Sequence, residues 1–264
     1  MFDKQLWKPA FTYWPSWPCP ACRSVALGLR KGKEKKLLDE ETGPSKRARS
    51  HDDWEPDWIE RKFAAILECH NPACGELVSV AGRVALEEEY SYDENGDVSR
   101  SHEPCYMPVF FDNAPPIFAI PRECPDAVKT QLLAAFAAIW FDLAAAANRL
   151  RAGVEALLDD HGIPKTSLVD GKRKPLTTHS RIEKFKKANA DGAEYLMAIK
   201  WLGNAGSHGV PADINRNDLL DATALFEATI ELVYLKSAEK FAKIAAALNK
   251  RKGKPKKHKK KALP

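Results

Sequence analysis

Six cysteines are the residues in this 264-residue chain whose type and spacing most directly suggest chemistry. Cys19-Pro-Ala-Cys22 sets two thiols on one tight turn, spaced so that both can face a single ion. Cys69-His-Asn-Pro-Ala-Cys74 offers a second pair, with Pro72 and Gly75 as turn residues. Four thiolates on two such knuckles match tetrahedral Zn²⁺, which prefers sulfur and needs no redox chemistry. A site closed by four thiolates has no open position for substrate, so the expected metal is structural. The spacing stretches this reading: 46 residues separate the pairs, against about 15–20 in a compact ribbon. The alternative is four buried small hydrophobes, since free cysteine is commonly interior. His70 either replaces one ligand or points outward beside the site. Cys105 and Cys124 lack a partner at ligand spacing and belong to the core. Disulfides fit poorly, because the chain carries no signal-peptide pattern and reads as cytoplasmic.

Two further segments carry candidate side chains. Arg151 and Glu155 are four residues apart on the flank of an apolar stripe. The plain reading is an intrahelical ion pair. The second segment is Lys200-Trp-Leu-Gly-Asn204-Ala-Gly-Ser-His208-Gly. It reads either as a glycine-rich helix end, with Asn and His satisfying loose carbonyls, or as a polar cluster. In the cluster His208 exchanges a proton, Asn204 orients a ligand, and Arg151 or Lys200 balances anionic charge. No P-loop, nucleophile elbow or His-Glu-x-x-His motif is present.

The net charge of +5 is unevenly spread. The last fifteen residues hold nine cations and no acid: Lys250, Arg251, Lys252, Lys254, Lys256, Lys257, Lys259, Lys260 and Lys261. Without them, 32 basic residues face 36 acidic ones. Affinity for RNA or DNA is therefore expected in the tail, through counterion release; the other reading is a solvated end that aids solubility. No aromatic residue interleaves these lysines, so the tail is not a stacking element. No apolar run reaches the length of a membrane span, and Asp142 breaks the longest, Leu132 to Ala147. No membrane partner is expected.

The elements that must position these residues change character near Pro125. Up to about Cys124, short apolar runs alternate with turn residues, and Asn95-Gly96 marks a hairpin tip. Arg30 to Asp53 is highly charged and reads as an exposed connection or hairpin extension. Beyond Pro125, apolar residues recur at intervals of three and four. They predict one long, kinked helix over 126–160, shorter helices over 180–189 and 193–203, and a last long helix carrying Leu219 through Leu248. The expected fold class is α+β. A small β-rich, zinc-ribbon-like module (1–124, with the charged connection 30–53) precedes an antiparallel helical bundle (125–249) and a basic, disordered tail (250–264).

The order of CPAC, WIERKFAAILECHNPACGE, YMPVFF, PPIFAIPRECP, AANRLRAGVEALLDDHGI, RIEKF and AIKWLGNAGSH resembles the domain-of-unknown-function 4145 family, DUF4145. That family resembles the HEPN superfamily of helical bundles found in bacterial anti-phage, toxin–antitoxin and restriction-linked proteins. The resemblance implies a defence setting, with a nucleic-acid-binding or protein-interaction role and a defence-system partner protein. It implies pairing of two bundles in a homodimer. HEPN ribonucleases cleave RNA without metal through an Arg-x4–6-His motif. Here Asn204 and His208 match that motif, and Gly203 stands where its arginine would be. Loss of that guanidinium removes a bidentate donor for the transition-state charge. The expectation is a binding module without catalysis. The alternatives are a metal-independent endoribonuclease using His208, Asn204, Arg151 and Glu155, and, more weakly, an accessory subunit of a restriction complex.

Overall fold

The computed structural model describes residues 2–23, 25–30, 37–92, 98–205 and 214–250. Its first half is built on β3 (Arg61–Cys69), in which Phe63, Ala65, Leu67 and Cys69 are buried and the residues between them are not. That period of two is what a strand with one covered face requires. β4 (Leu77–Tyr92) pairs antiparallel with β3, and β5 (Val98–Phe111) pairs with β4. Along the other edge of β3, β1 (Leu27–Leu29) and β2 (Leu37–Glu41) lie end to end. The N-terminal segment crosses from one edge to the other. Phe11 exchanges backbone hydrogen bonds with Tyr106 on β5, and Leu27 donates to the Trp17 carbonyl at 2.8 Å. Gly82 sits where the β4–β5 register shifts, and a β-carbon there would lie 2.1 Å from the Met107 carbonyl oxygen. Only glycine permits so close an approach.

Past Val84 the β4–β5 pair runs on beyond β3 as a ribbon, with Glu87 and Glu88 exposed. Its predicted Asn-Gly tip lies outside the described residues, but the strands pair out to Tyr92 and Val98. The charged connection is more ordered than its composition suggests. Leu37–Glu41 adds a strand to the sheet, and Thr42 caps the short α1 (Gly43–Ala48). Arg49 then grips Glu41 with two hydrogen bonds, of 3.0 and 2.6 Å.

The second half is helical. The long stripe predicted over 126–160 is two helices, α2 (Asp126–Ala138) and α3 (Leu143–Asp160), packed as a hairpin. Asp142 makes the break: its carboxylate accepts the Ala145 N–H and caps α3. A two-stranded ribbon, β6 (Thr166–Val169) and β7 (Lys172–Pro175), comes next, then α4 (Thr178–Phe185) and α5 (Ala190–Ala205). The last predicted helix is also divided. α6 (Arg216–Ile230) packs into the bundle, a wide turn over 231–235 ends in left-handed Lys236, and α7 (Ser237–Lys250) follows. Phe241, Ile244 and Leu248 on α7 keep their helical spacing but remain exposed. No described helix is long and apolar enough to cross a membrane.

Both halves share one core. Trp140, at the α2–α3 turn, lies 4.9 Å from Phe111, 5.6 Å from Trp17 and 5.9 Å from Trp7, centroid to centroid.

Candidate functional site

The four predicted ligands come together at the end of β3. The sulfurs of Cys19, Cys22, Cys69 and Cys74 all lie within 4.8 Å of one another, with 3.8 Å between Cys19 and Cys74 and 3.6 Å between Cys22 and Cys69. A tetrahedral ion with bonds of about 2.3 Å to sulfur sets its ligands about 3.8 Å apart. The donor set therefore fits a metal ion. The 46-residue gap is spanned by the sheet itself: β1, β2 and β3 fold back until Leu27 stands opposite Cys69.

Each knuckle is shaped by its own backbone. Arg23 donates its N–H to the Cys19 carbonyl at 3.0 Å, and Gly75 donates to Asn71 at 3.2 Å. Arg23 and Gly75, each directly after the second cysteine of its pair, both adopt positive φ (59° and 62°). Arg23 tolerates that conformation while its guanidinium donates to the Ile120 carbonyl at 2.7 Å. The Asn71 N–H donates to the Cys69 sulfur at 3.4 Å. Burial nevertheless pushes the Cys69 thiol up to about 12, and the three neighbouring thiols add to the rise. A bound cation would reverse that penalty, because it stabilises thiolate directly.

His70 is not a member of this cluster. It is exposed and packs across Gly28, where a β-carbon would lie 2.3 Å from its Nε2. Cys105 and Cys124 are buried away from the cluster, each pushed up to about 11 by burial.

In the bundle, Arg151 and Glu155 form the predicted pair at 3.5 Å on α3. Glu155 also accepts a 2.8 Å hydrogen bond from Thr178 on α4, so the carboxylate ties two helices together. Gly203 is buried at the crossing of α3 and α5. A β-carbon there would lie 2.6 Å from the Arg151 β-carbon and 3.1 Å from the Ala147 carbonyl oxygen. Lys200, one turn earlier on α5, is 7% exposed, and burial followed by the nearby Arg151 charge lowers its pKa. Its ammonium lies 3.2 Å from the centroid of the Trp201 ring. The Arg151 Nε is buried without a hydrogen bond among the described residues.

Residues 10–111 match the family model described as a domain of unknown function, DUF8608, and residues 134–253 match that of DUF4145, likewise of unknown function. The DUF4145 match covers the helical half from within α2 onward, and supports that family for this segment. No curated protein and no solved structure matches the chain.

The DUF4145 segment thus holds Arg151, Glu155 and Asn204, while the DUF8608 segment holds all four clustered cysteines. Asn204 is half-buried on α5, one residue beyond the crossing. His208 lies outside the described residues, as do the tail cations from Arg251 to Lys261; Lys250 ends α7 and is exposed. Thr178, the second partner of Glu155, does not stand out in the sequence. The one signal was local: Thr177 and Thr178 open α4, where a cap is expected. The Asp159 carboxylate, which holds Arg181 at 2.6 Å and Lys165 at 2.9 Å, does not stand out either. Nothing in the sequence pairs those three residues.

Proposed function

We propose that this chain is a zinc-stabilised module that binds nucleic acid without cleaving it, on a bundle of the HEPN-like kind. The reading is carried by the α3–α5 crossing. There a β-carbon on Gly203 would fall 2.6 Å from that of Arg151, and the basic Lys200 and Arg151 sit beside it. An arginine at 203 would have to force the two helices apart, so its absence is built into the packing. What stays at the crossing is positive charge with a single carboxylate, Glu155, which is itself engaged by Thr178. Two partly desolvated cations facing one carboxylate leave an excess positive charge that favours an anionic ligand such as a phosphate. The nine tail cations add sequence-independent, salt-sensitive attraction to the same class of ligand. Zinc is the metal the four-sulfur donor set selects, and its role is to hold the β-rich half together. The resemblance to HEPN proteins supports a bacterial defence setting and a paired bundle.

The test is incubation of the purified, zinc-loaded protein with mixed RNA in magnesium-free buffer without chelator, beside His208→Ala, with binding followed by gel retardation. Retention of intact RNA by both proteins is the expected result. Cleavage to cyclic-phosphate ends, lost in His208→Ala, would replace this reading with the metal-independent endoribonuclease.

A further inference from the structure

The tail is not the only basic element. Lys165 to Lys187 contains eight Lys or Arg against Asp170 and Glu183. The rest of the chain before Lys250 then holds 24 basic and 34 acidic residues. Three of the eight, Lys172, Arg173 and Lys174, stand in a row on one feature, the β6–β7 ribbon. Asp170 and Gly171 both adopt positive φ (52° and 73°), the mark of a tight two-residue turn, and Lys172, Arg173 and Lys174 follow at once. Every residue of β7 is exposed, and Leu168 opposite is 72% exposed. Such a ribbon buries almost nothing, and an isolated two-stranded hairpin is marginal in water. Among the described residues Lys172, Arg173 and Lys174 form no ion pair, whereas Lys165 and Arg181 are both held by Asp159.

The base of the ribbon leads directly into a helix that carries one edge of an aromatic surface. That base is closed by the Leu176 N–H donating to the Lys165 carbonyl at 2.8 Å, three residues before His179 on α4. His179 meets Trp201 on α5 at 6.1 Å between ring centroids. Trp201 is 56% exposed, while Trp7, Trp17 and Trp140 are buried. Lys200 places its ammonium 3.2 Å from the ring centroid, so the indole meets a cation and the His179 ring and still keeps 56% of its surface exposed. Asp191 and Glu194, the acidic residues on the exposed side of α5, lie two turns or more toward its other end.

We infer that the β6–β7 ribbon and the Trp201 face together form a binding surface for single-stranded nucleic acid, distinct from the tail. Trp201 stacks an unpaired base, and Lys172, Arg173 and Lys174 hold the adjoining phosphates. An open indole with a row of cations beside it is the combination that recognises unpaired strands without sequence preference. A duplex, whose bases are already stacked, presents phosphates but no free base face. This inference rests on the nucleic-acid reading above and assigns it a place and a ligand class.

The experiment uses full-length protein whose nine tail cations are replaced by glutamine, titrated with fluorescein-labelled oligouridylate and with a duplex of equal length. The inference expects this protein to retain the single strand and to prefer it to the duplex. Trp201→Ala should then weaken binding about tenfold, as loss of one stacked base does, and Trp201→Phe should restore most of it. Reversing the charges of Lys172, Arg173 and Lys174 together should flatten the slope of log affinity against log salt by about 2. Both surface variants are exposed, and unchanged circular dichroism and Tm separate lost binding from lost folding. If the unsubstituted chain binds but binding vanishes with the tail charges and ignores Trp201 and the ribbon, the inference is overturned and the broader reading survives. If the unsubstituted chain binds no RNA, both fall. Salt-sensitive self-association that disappears with the ribbon charges, without RNA binding, would identify the acidic β4–β5 ribbon of a second copy as the occupant and also overturn it.

Discussion

Cys69 shows how the last residue of a strand pattern joins a cluster that can hold a metal. It is the last inward-facing position of β3, so the same alternation that buries Phe63, Ala65 and Leu67 delivers its sulfur to the knuckles. Without a cation its thiol stays protonated at neutral pH, because burial pushes it up to about 12. Metal uptake must therefore release protons. Cys69→Ser is expected to abolish stoichiometric zinc in elemental analysis and to lower Tm by roughly 10 °C, a loss of several kcal/mol for a chain of this size. Cys105→Ser, away from the cluster, should keep the metal. The four ligands were legible from spacing alone, since turn residues accompany each pair. Their closeness was not, because it depends on strand pairing across 46 residues. Gly203 teaches the reverse lesson: in the sequence it reads as a missing arginine, and in the structure as a contact. Gly203→Ala should cost about 2 kcal/mol by overpacking against Arg151 in chemical denaturation, although alanine is the better helix former. Lys200→Met, by contrast, should leave stability unchanged or raise it by about 1 kcal/mol, since it removes a charge whose burial is costly. A large loss of stability in that variant would mean that Lys200 serves the fold and not an anion.

The elements the sequence revealed are those whose burial follows a simple period. β3 and the first half of β4 alternate strictly enough to be read, and α2 through α6 keep apolar residues at three and four. The breaks between elements were less visible. Ile139 and Leu143 stay in phase across the α2–α3 turn, so the stripe continues while the chain reverses, and only the Asp142 cap marks the corner. Phe241, Ile244 and Leu248 likewise continue the α6 pattern on α7, although the left-handed Lys236 has already turned the chain away. The β6–β7 ribbon escaped notice because its residues are exposed and carry no apolar alternation; Asp170-Gly171 was its single signal. α4 is the shortest helix of the bundle, and Asp159 on α3 fixes it. Arg181 is almost fully buried and donates to Asp159 and to the Ile163 carbonyl. Partial burial opposes ionisation of Asp159, but Lys165 and Arg181 outweigh it and hold its carboxyl below the ordinary value of 3.8. The depressed folded pKa means that this contribution is present above the unfolded value and is lost as pH falls through the folded one. Asp159→Asn should cost about 2 kcal/mol at pH 7, less than a fully buried pair because Asp159 is partly exposed. The gap from the unsubstituted protein should narrow as pH is lowered below about 4. A gap that stays constant across that range would mean that packing, not charge, holds α4.

At the scale of the molecule, two family segments with separate patterns fold around one core. The DUF8608 match ends at residue 111 and the DUF4145 match begins at 134, inside α2. Trp140 lies just within the second segment, yet its ring neighbours Phe111, Trp17 and Trp7 all belong to the β-rich half. The Arg216 guanidinium, 5.4 Å from the same ring, and the Lys4–Asp221 ion pair bring α6 and the N-terminal segment to that junction. Continuity of apolar packing, through Trp140 and through Phe118 against Phe136, makes the halves energetically dependent. Stripping a metal held by the four cysteines, which all lie in the first half, should therefore lower the melting of the helices as well. The measurement is thermal unfolding followed at once by helical ellipticity and by near-ultraviolet aromatic ellipticity. The two signals should coincide in the unsubstituted protein, and should fall together when a chelator is added. Trp140→Ala should cost about 3–5 kcal/mol, the usual range for deleting a buried tryptophan. It should also separate the two transitions, with the helical signal becoming insensitive to chelation. Had the halves been independent domains on a tether, chelation would leave the helical transition in place even with Trp140 intact.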